Sequence, residues 1–254
     1  MNFFKYLSFF CLCTLFFFSC KDEQVIEDFS IDLGYEYFPL EVGKFIVYQV
    51  DSMVYNIKSE GTIDSTSFFI KEEITDTLLD NENRVNYRIE RSVRSSPNDP
   101  WVIKDIWVSV RTENTAERVE ENVRFIKLVF PLEVGSTWDG NQFVDKTTII
   151  SIAGETLELF KGWEDSEITS LAEPETINGI SFEEVTTVVH VQNENLIEIR
   201  EVIEKYAKNV GLVYKKMRIL DTQCNGDLAS CDGLPWEEKA EEGFILSCRV
   251  LDFN

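Results

Sequence analysis

The chain has 254 residues, of which 44% are hydrophobic, with 19 Phe, 8 Tyr and 5 Trp, so it can bury a sizeable core and is not of disordered composition. Against 24 Lys and Arg stand 46 Asp and Glu, a formal charge of −22, which repels phosphate backbones and anionic lipid surfaces. Nucleic acid is thereby excluded as a partner, and any membrane association must come from something other than a basic patch.

The first segment supplies that something. Lys5 precedes the apolar run Tyr6 to Phe18, which is too short for a bilayer span of roughly 20 residues and reads as a signal peptide over residues 1–19. Phe17 at −3 suits ordinary signal peptidase poorly, so cleavage before a lipidated Cys20 is expected. Several acyl chains of the palmitate kind, at about 0.8 kcal/mol per buried methylene, would make a stable membrane anchor. Residues 20–35 read as a polar tether and residues 36–254 as one β-rich globular domain.

Within the body, Lys44 to Asn56, Ser67 to Leu78, Arg84 to Arg94, Trp101 to Thr112, Val123 to Phe130, Val185 to Gln192 and Phe244 to Phe253 carry β-branched and aromatic residues with partial period-two alternation. Asp80 to Asn83, Ser95 to Pro100 and Asn178-Gly179 are turn chemistry between them. The expected fold is mainly β: a curved antiparallel sheet or half-barrel of consecutive hairpins with little helix, with a β-sandwich as the alternative. Leu196 to Tyr206 fits a helical face as well as a strand; strand is favoured, with Glu198, Arg200, Glu201, Glu204 and Lys205 as solvent-facing cross-strand charge pairs. The hexapeptide Phe38-Pro39-Leu40-Glu41-Val42-Gly43 recurs as Phe130 to Gly135, and the reading preferred for it is a rigid strand-entry turn used twice rather than two duplicated domains.

The segments Tyr37 to Gly43 with Phe45 and Tyr48, and Tyr206-Ala207-Lys208-Asn209-Val210-Gly211-Leu212-Val213-Tyr214, resemble motifs of uncharacterised Bacteroidota cell-envelope lipoproteins, over about a fifth of the chain. Lys21-Asp22-Glu23 resembles the signal such lipoproteins use to reach the outer face of the outer membrane. The resemblance implies a lipid-anchored outer-membrane location, with display at the cell surface, and a curved sheet of the kind found in bacterial lipoprotein carriers. It brings no catalytic residue.

Cys11 and Cys13 leave with the leader, so Cys224, Cys231 and Cys248 remain for folding. Cys224 and Cys231 flank a turn-rich insert and are the expected disulfide, while Cys248, on an apolar alternating face, reads as a buried thiol; pairing of Cys248 with either stays open. His190, the one histidine, reads as a surface or cleft residue of no special role. No Gly-x-Ser-x-Gly, P-loop, dinucleotide or zinc-spacing motif accompanies it, so no enzyme, cofactor or resident metal is expected. The acidic loop Asp221, Asn225, Asp227, Asp232 offers a weak calcium alternative, and the five tryptophans read as core rather than as a sugar platform.

The expected function is a non-catalytic, lipid-anchored binding or assembly module, held to the membrane through Cys20 and meeting an envelope protein. The alternatives are a half-barrel carrier of a lipid or other apolar ligand, and a surface protein that binds or hydrolyses glycans with paired carboxylates.

Overall fold

Alternation of apolar and polar residues builds fourteen strands in the computed structural model, which describes residues 32–254 except 58, 59, 146, 153 and 154. They are β1 (Phe45–Asn56), β2 (Thr62–Leu79), β3 (Val85–Arg94), β4 (Val102–Arg111), β5 (Thr115–Glu120), β6 (Val123–Val129), β7 (Thr137–Trp138), β8 (Ile149–Ile152), β9 (Glu155–Glu158), β10 (Ser166–Ile177), β11 (Ile180–Glu194), β12 (Glu198–Ala207), β13 (Gly211–Asp221) and β14 (Glu242–Phe253). Helix is confined among the described residues to single turns such as Tyr35–Tyr37 and Trp236–Lys239. The leader, Cys20 and most of the tether lie outside the described residues.

Twelve strands form one antiparallel sheet in the order β6-β5-β4-β3-β2-β1-β14-β13-β12-β11-β10-β7, while β8 and β9 make a separate hairpin. The sheet curls until its ends nearly meet. The Ile126 amide of β6 donates to the carbonyl of Gly140, just past β7, at 2.9 Å, and the Trp138 indole donates to the Ile126 carbonyl at 2.9 Å. The fold is therefore a nearly closed barrel of hairpins, as expected, and not a sandwich. The free edge of β10 beyond β7 carries Pro174 and the positive-φ residue Ala172, which discourage further pairing there.

The repeated hexapeptide organises this sheet. In the first copy the Gly43 amide donates to the Ile74 carbonyl at 2.8 Å, the Ile74 amide to Lys44 at 2.9 Å, and the Lys44 amide to Glu41 at 3.2 Å. In the second, Gly135 donates to Ile168 at 2.8 Å, Ile168 to Ser136 at 3.1 Å, and Ser136 to Glu133 at 3.1 Å. Both are strand-entry turns, and both glycines sit at positive φ, 96° and 87°. The Phe130-Pro131 peptide is cis.

Each turn opens a six-strand meander, β1 to β6 and then β7 with β10 to β14. The first strand of one meander pairs with the last strand of the other at β1–β14, and β7 and β6 meet again at the seam. Register irregularities recur at matching places: after Ile74 and after Ile168, and beside Arg91 and beside His190. The molecule is thus pseudo-two-fold within one sheet, not two domains. Phe38, Leu40, Ile74 and Ile89 from the first half and Phe130, Leu132, Ile168 and Val188 from the second fill one apolar cluster at the end where Leu33 enters the body.

Leu196 to Tyr206 is a strand over Glu198–Ala207. Its charges divide between two faces, which corrects the expectation that all face solvent. Glu201, outside, accepts from Lys216 and Arg218 at 2.9 Å each, whereas Arg200 and Glu204 point inward and are 2% and 1% exposed. Inward charges break the apolar alternation, which is why the segment read ambiguously.

Candidate functional site

The interior is where the chain concentrates its unusual chemistry. Eight ionised side chains, Glu72, Arg91, Asp105, Arg118, Glu120, Lys127, Glu204 and Lys215, sit on neighbouring strands with at most 17% of each side chain exposed. Glu204 is the hub. Its Oε1 accepts from Lys127 Nζ at 3.1 Å and lies 3.2 Å from Lys215 Nζ, while Oε2 accepts from the Tyr206 hydroxyl at 2.6 Å and lies 3.0 Å from His190 Nε2. Lys127 also reaches Glu120 at 2.9 Å. Beside this group Glu72 joins Arg118 at 3.0 Å and Arg91 at 3.4 Å, and Arg91 joins Asp105 at 3.0 Å while its guanidinium lies 4.2 Å above the Trp107 ring.

In this network four cations meet four anions, so its own charge is balanced inside a strongly acidic protein. Burial alone would push the Glu120 carboxyl up, but Lys127, Lys215 and Arg118 outweigh it and hold the group at about 2. Burial acts against the Glu204 carboxylate too, and Lys127, Lys215 and His190 keep its pKa well below the usual range. The same attractions, from Glu120 and Glu204, raise Lys215 against its own desolvation. Burial first, then nearby carboxylates, push the Tyr48 and Tyr206 hydroxyls well up, so both stay neutral donors.

His190 corrects the expectation of a surface or cleft residue. It is 2% exposed, with Nδ1 3.0 Å from Ser166 Oγ and Nε2 facing Glu204, its ring stacked on Trp163 at 5.5 Å and edge-on to Trp138 at 6.5 Å. The geometry fits Nε2–H donating to Glu204 and Nδ1 accepting from the Ser166 hydroxyl. A serine, a histidine and a carboxylate in one row have the composition of a nucleophile, base and orienting acid. Ser166 and Glu204 are as deeply buried as the histidine, and a β-carbon on Gly140 would meet both Ser166 and His190, so the row is sealed where substrate would have to stand. In the pseudo-two-fold, Ser166 and His190 occupy the register positions of Glu72 and Arg91, each pair tying a second strand to a third.

Cys224 and Cys231 form a disulfide. Their loop is held by Glu241, which accepts from the amides of Gln223 and Asn225 at 2.9 and 2.6 Å. In the acidic loop Asp221 is paired with Arg200 at 2.8 Å and Asp227 accepts from the Ala229 amide at 3.1 Å, and among the described residues no group of three or more His, Cys, Asp or Glu is placed to hold a metal ion. Cys248 remains a free thiol opposite Val50 on the inner face of β14, where burial pushes its pKa up to about 11. Trp107, Trp163 and Trp236 are buried core, as expected, whereas Trp101 and Trp138 are only half-buried.

Space inside the barrel mouth is small, while a more open cleft of about 520 Å³ lies outside it against Tyr35, Leu40, Arg84, Val85, Tyr87 and Arg111. The pocket at the mouth, lined by Phe38, Pro39, Leu40, Ile74 and Leu212 with Arg118 beneath, has a volume of about 40 Å³, room for a few waters against the 300 Å³ or more of an ordinary ligand site. A cleft of about 300 Å³ holds Glu158, Glu198, Asp221 and Glu242 beside Arg200. Lys161 pairs with Glu198 at 2.7 Å and helps hold its carboxyl below the usual range against the cost of burial.

No protein-family model matches the sequence, and no curated protein does. Among solved structures the chain is similar to a protein from Bacteroides fragilis described as exported and of YmcC-like fold, at 10% identity and TM-score 0.42, over 85% of this chain and 98% of that one. It is similar also to one from Parabacteroides distasonis described as a lipoprotein, at 9% identity and TM-score 0.42, over 86% and 98%. Likeness at this level carries no information about what the chain does, so its reading rests on its own residues: a nearly closed, pseudo-two-fold barrel with a filled, ion-paired interior.

Proposed function

We propose that this is a lipid-anchored envelope protein, non-catalytic, whose barrel acts as a binding or assembly module through its outer surface. The observation that carries this reading is the filled interior, in which paired charges and apolar side chains occupy the space a carrier would leave for cargo. The anchor follows from the leader and Cys20, and display on the outer face from Lys21-Asp22-Glu23. Against catalysis speaks the burial of the Ser166, His190, Glu204 row. Against glycan hydrolysis speaks the direction of every resolved carboxylate shift, downward at Asp80, Glu120, Asp145, Glu198, Glu201 and Glu204, where a general acid needs one raised.

The test is fractionation of cells expressing the wild type and Cys20→Ser. Wild type is expected to incorporate labelled palmitate, to appear in the outer-membrane fraction and to be degraded when protease is added to intact cells, whereas Cys20→Ser, which keeps its leader, is expected to carry no label and to be missing from the outer-membrane fraction. Labelling of Cys20→Ser, or its arrival in the outer-membrane fraction, would sink the anchor, and full protection of the wild type would sink surface display. Extraction that recovers a stoichiometric lipid from the barrel would replace the module reading with the carrier.

A further inference from the structure

Pairing between β4 and β5 ends at Val108–Val119, so β4 runs on for six residues, Val102 to Trp107, with no described strand on that side. Along this open edge Val102, Ile103 and Ile106 are 59%, 57% and 46% exposed. Ile103 stands opposite Ser92 and Ile106 opposite Glu90, two residues apart on β3, so both isoleucines share one face of the sheet; a bulge at Lys104 makes this possible. An exposed apolar edge with free backbone donors and acceptors is a template for another strand.

The order of residues says which strand fits. Antiparallel pairing of the edge with its own two-fold copy has three central registers. One sets Lys104 on Lys104, and another sets Asp105 on Asp105, each placing like charges face to face. The third sets Ile103 opposite Ile106 and Val102 opposite Trp107, so apolar meets apolar, and it sets Lys104 opposite Asp105, which already pairs with Arg91 at 3.0 Å. A two-fold interface demands this self-complementarity. The bulge and the charge of Lys104 meanwhile discourage pairing with arbitrary strands.

Resting on the reading that the body works through its outer surface, we infer that β4 is a homodimerisation edge, joining two copies into one continuous sheet through Val102 to Trp107. Six residues a side bury less than the roughly 1,200 Å² of a stable complex. Two further conditions favour the pair at a membrane: anchoring raises the effective concentration of copies, and salt near 0.15 M screens their like net charge beyond about 8 Å.

The experiment is oxidation of intact envelopes carrying the full-length chain with Ile103→Cys and Ile106→Cys, which are too far apart along a strand to bridge within one chain. Most of the protein is expected as a disulfide-linked dimer, while Val42→Cys with Val134→Cys, equally exposed but away from the edge, stays monomeric. A monomer whose introduced thiols react freely with maleimide would overturn the inference, as would equal crosslinking of the control pair. A photo-crosslinker at Ile103 separates the two readings. Capture of a second copy supports the edge, capture of a different envelope protein overturns the dimer but leaves the outer-surface module standing, and capture of nothing overturns the edge alone.

Discussion

Glu204 shows how a single residue can hold an interior together. Its carboxylate meets two lysines, a histidine and a tyrosine within 3.2 Å, and a buried charge so surrounded is tolerable only while its partners stay. Glu120 makes the consequence measurable. Its folded pKa of about 2 lies below the ordinary carboxylate value of 4.5, so its contribution to stability is fully present above about pH 4.5 and is lost as pH falls toward 2. Glu204, shifted the same way, adds to the slope in the same window. The urea midpoint is therefore expected to be nearly flat from pH 7 to 5 and to fall steeply below 4.5. Glu120→Gln should lower the midpoint at pH 7 and flatten the acid limb; an unchanged limb would mean that Glu120 is not ion-paired.

At the scale of elements, the two strand-entry turns are the clearest device. Gly43 and Gly135 adopt positive φ with nothing within 4 Å of where a β-carbon would stand. Alanine there meets only the backbone cost of the left-handed region, about 1–2 kcal/mol. Equal losses from Gly43→Ala and Gly135→Ala, read by urea unfolding, would confirm that the two turns do the same work. Gly243 has a different reason for being glycine: a β-carbon would collide with the Ile219 carbonyl oxygen, so the close approach of β14 to β13 depends on it. The disulfide closes a short loop and contributes about 2–3 kcal/mol by chain entropy.

At the scale of the molecule, the two meanders are interlocked rather than juxtaposed. β1 pairs with β14 over eleven register positions, and the largest apolar cluster draws on both halves. Unfolding is therefore expected to be one transition. Intrinsic fluorescence from a variant retaining only Trp107 and one retaining only Trp163 should give coincident denaturation midpoints, each variant checked by circular dichroism at the same time. Separate midpoints would show that the halves fold independently.

The strand-rich class and the strands at Lys44 to Asn56, Arg84 to Arg94 and Phe244 to Phe253 were readable because alternation and turn residues are local properties. So were the two entry turns and the Cys224–Cys231 pair. The β5–β6 turn was not, because Glu121 and Asn122 both take positive φ without a glycine to announce it. Nor was the interior network: Lys127 within Phe125-Ile126-Lys127-Leu128 hinted at a buried cation, but its partner Glu204 lies 77 residues away. His190 looked ordinary because burial depends on which strands curl over it. Charge and strand pattern are written along the chain, whereas pairing of buried charges, closure of the barrel and the open edge of β4 depend on long-range register, which only the folded sheet decides.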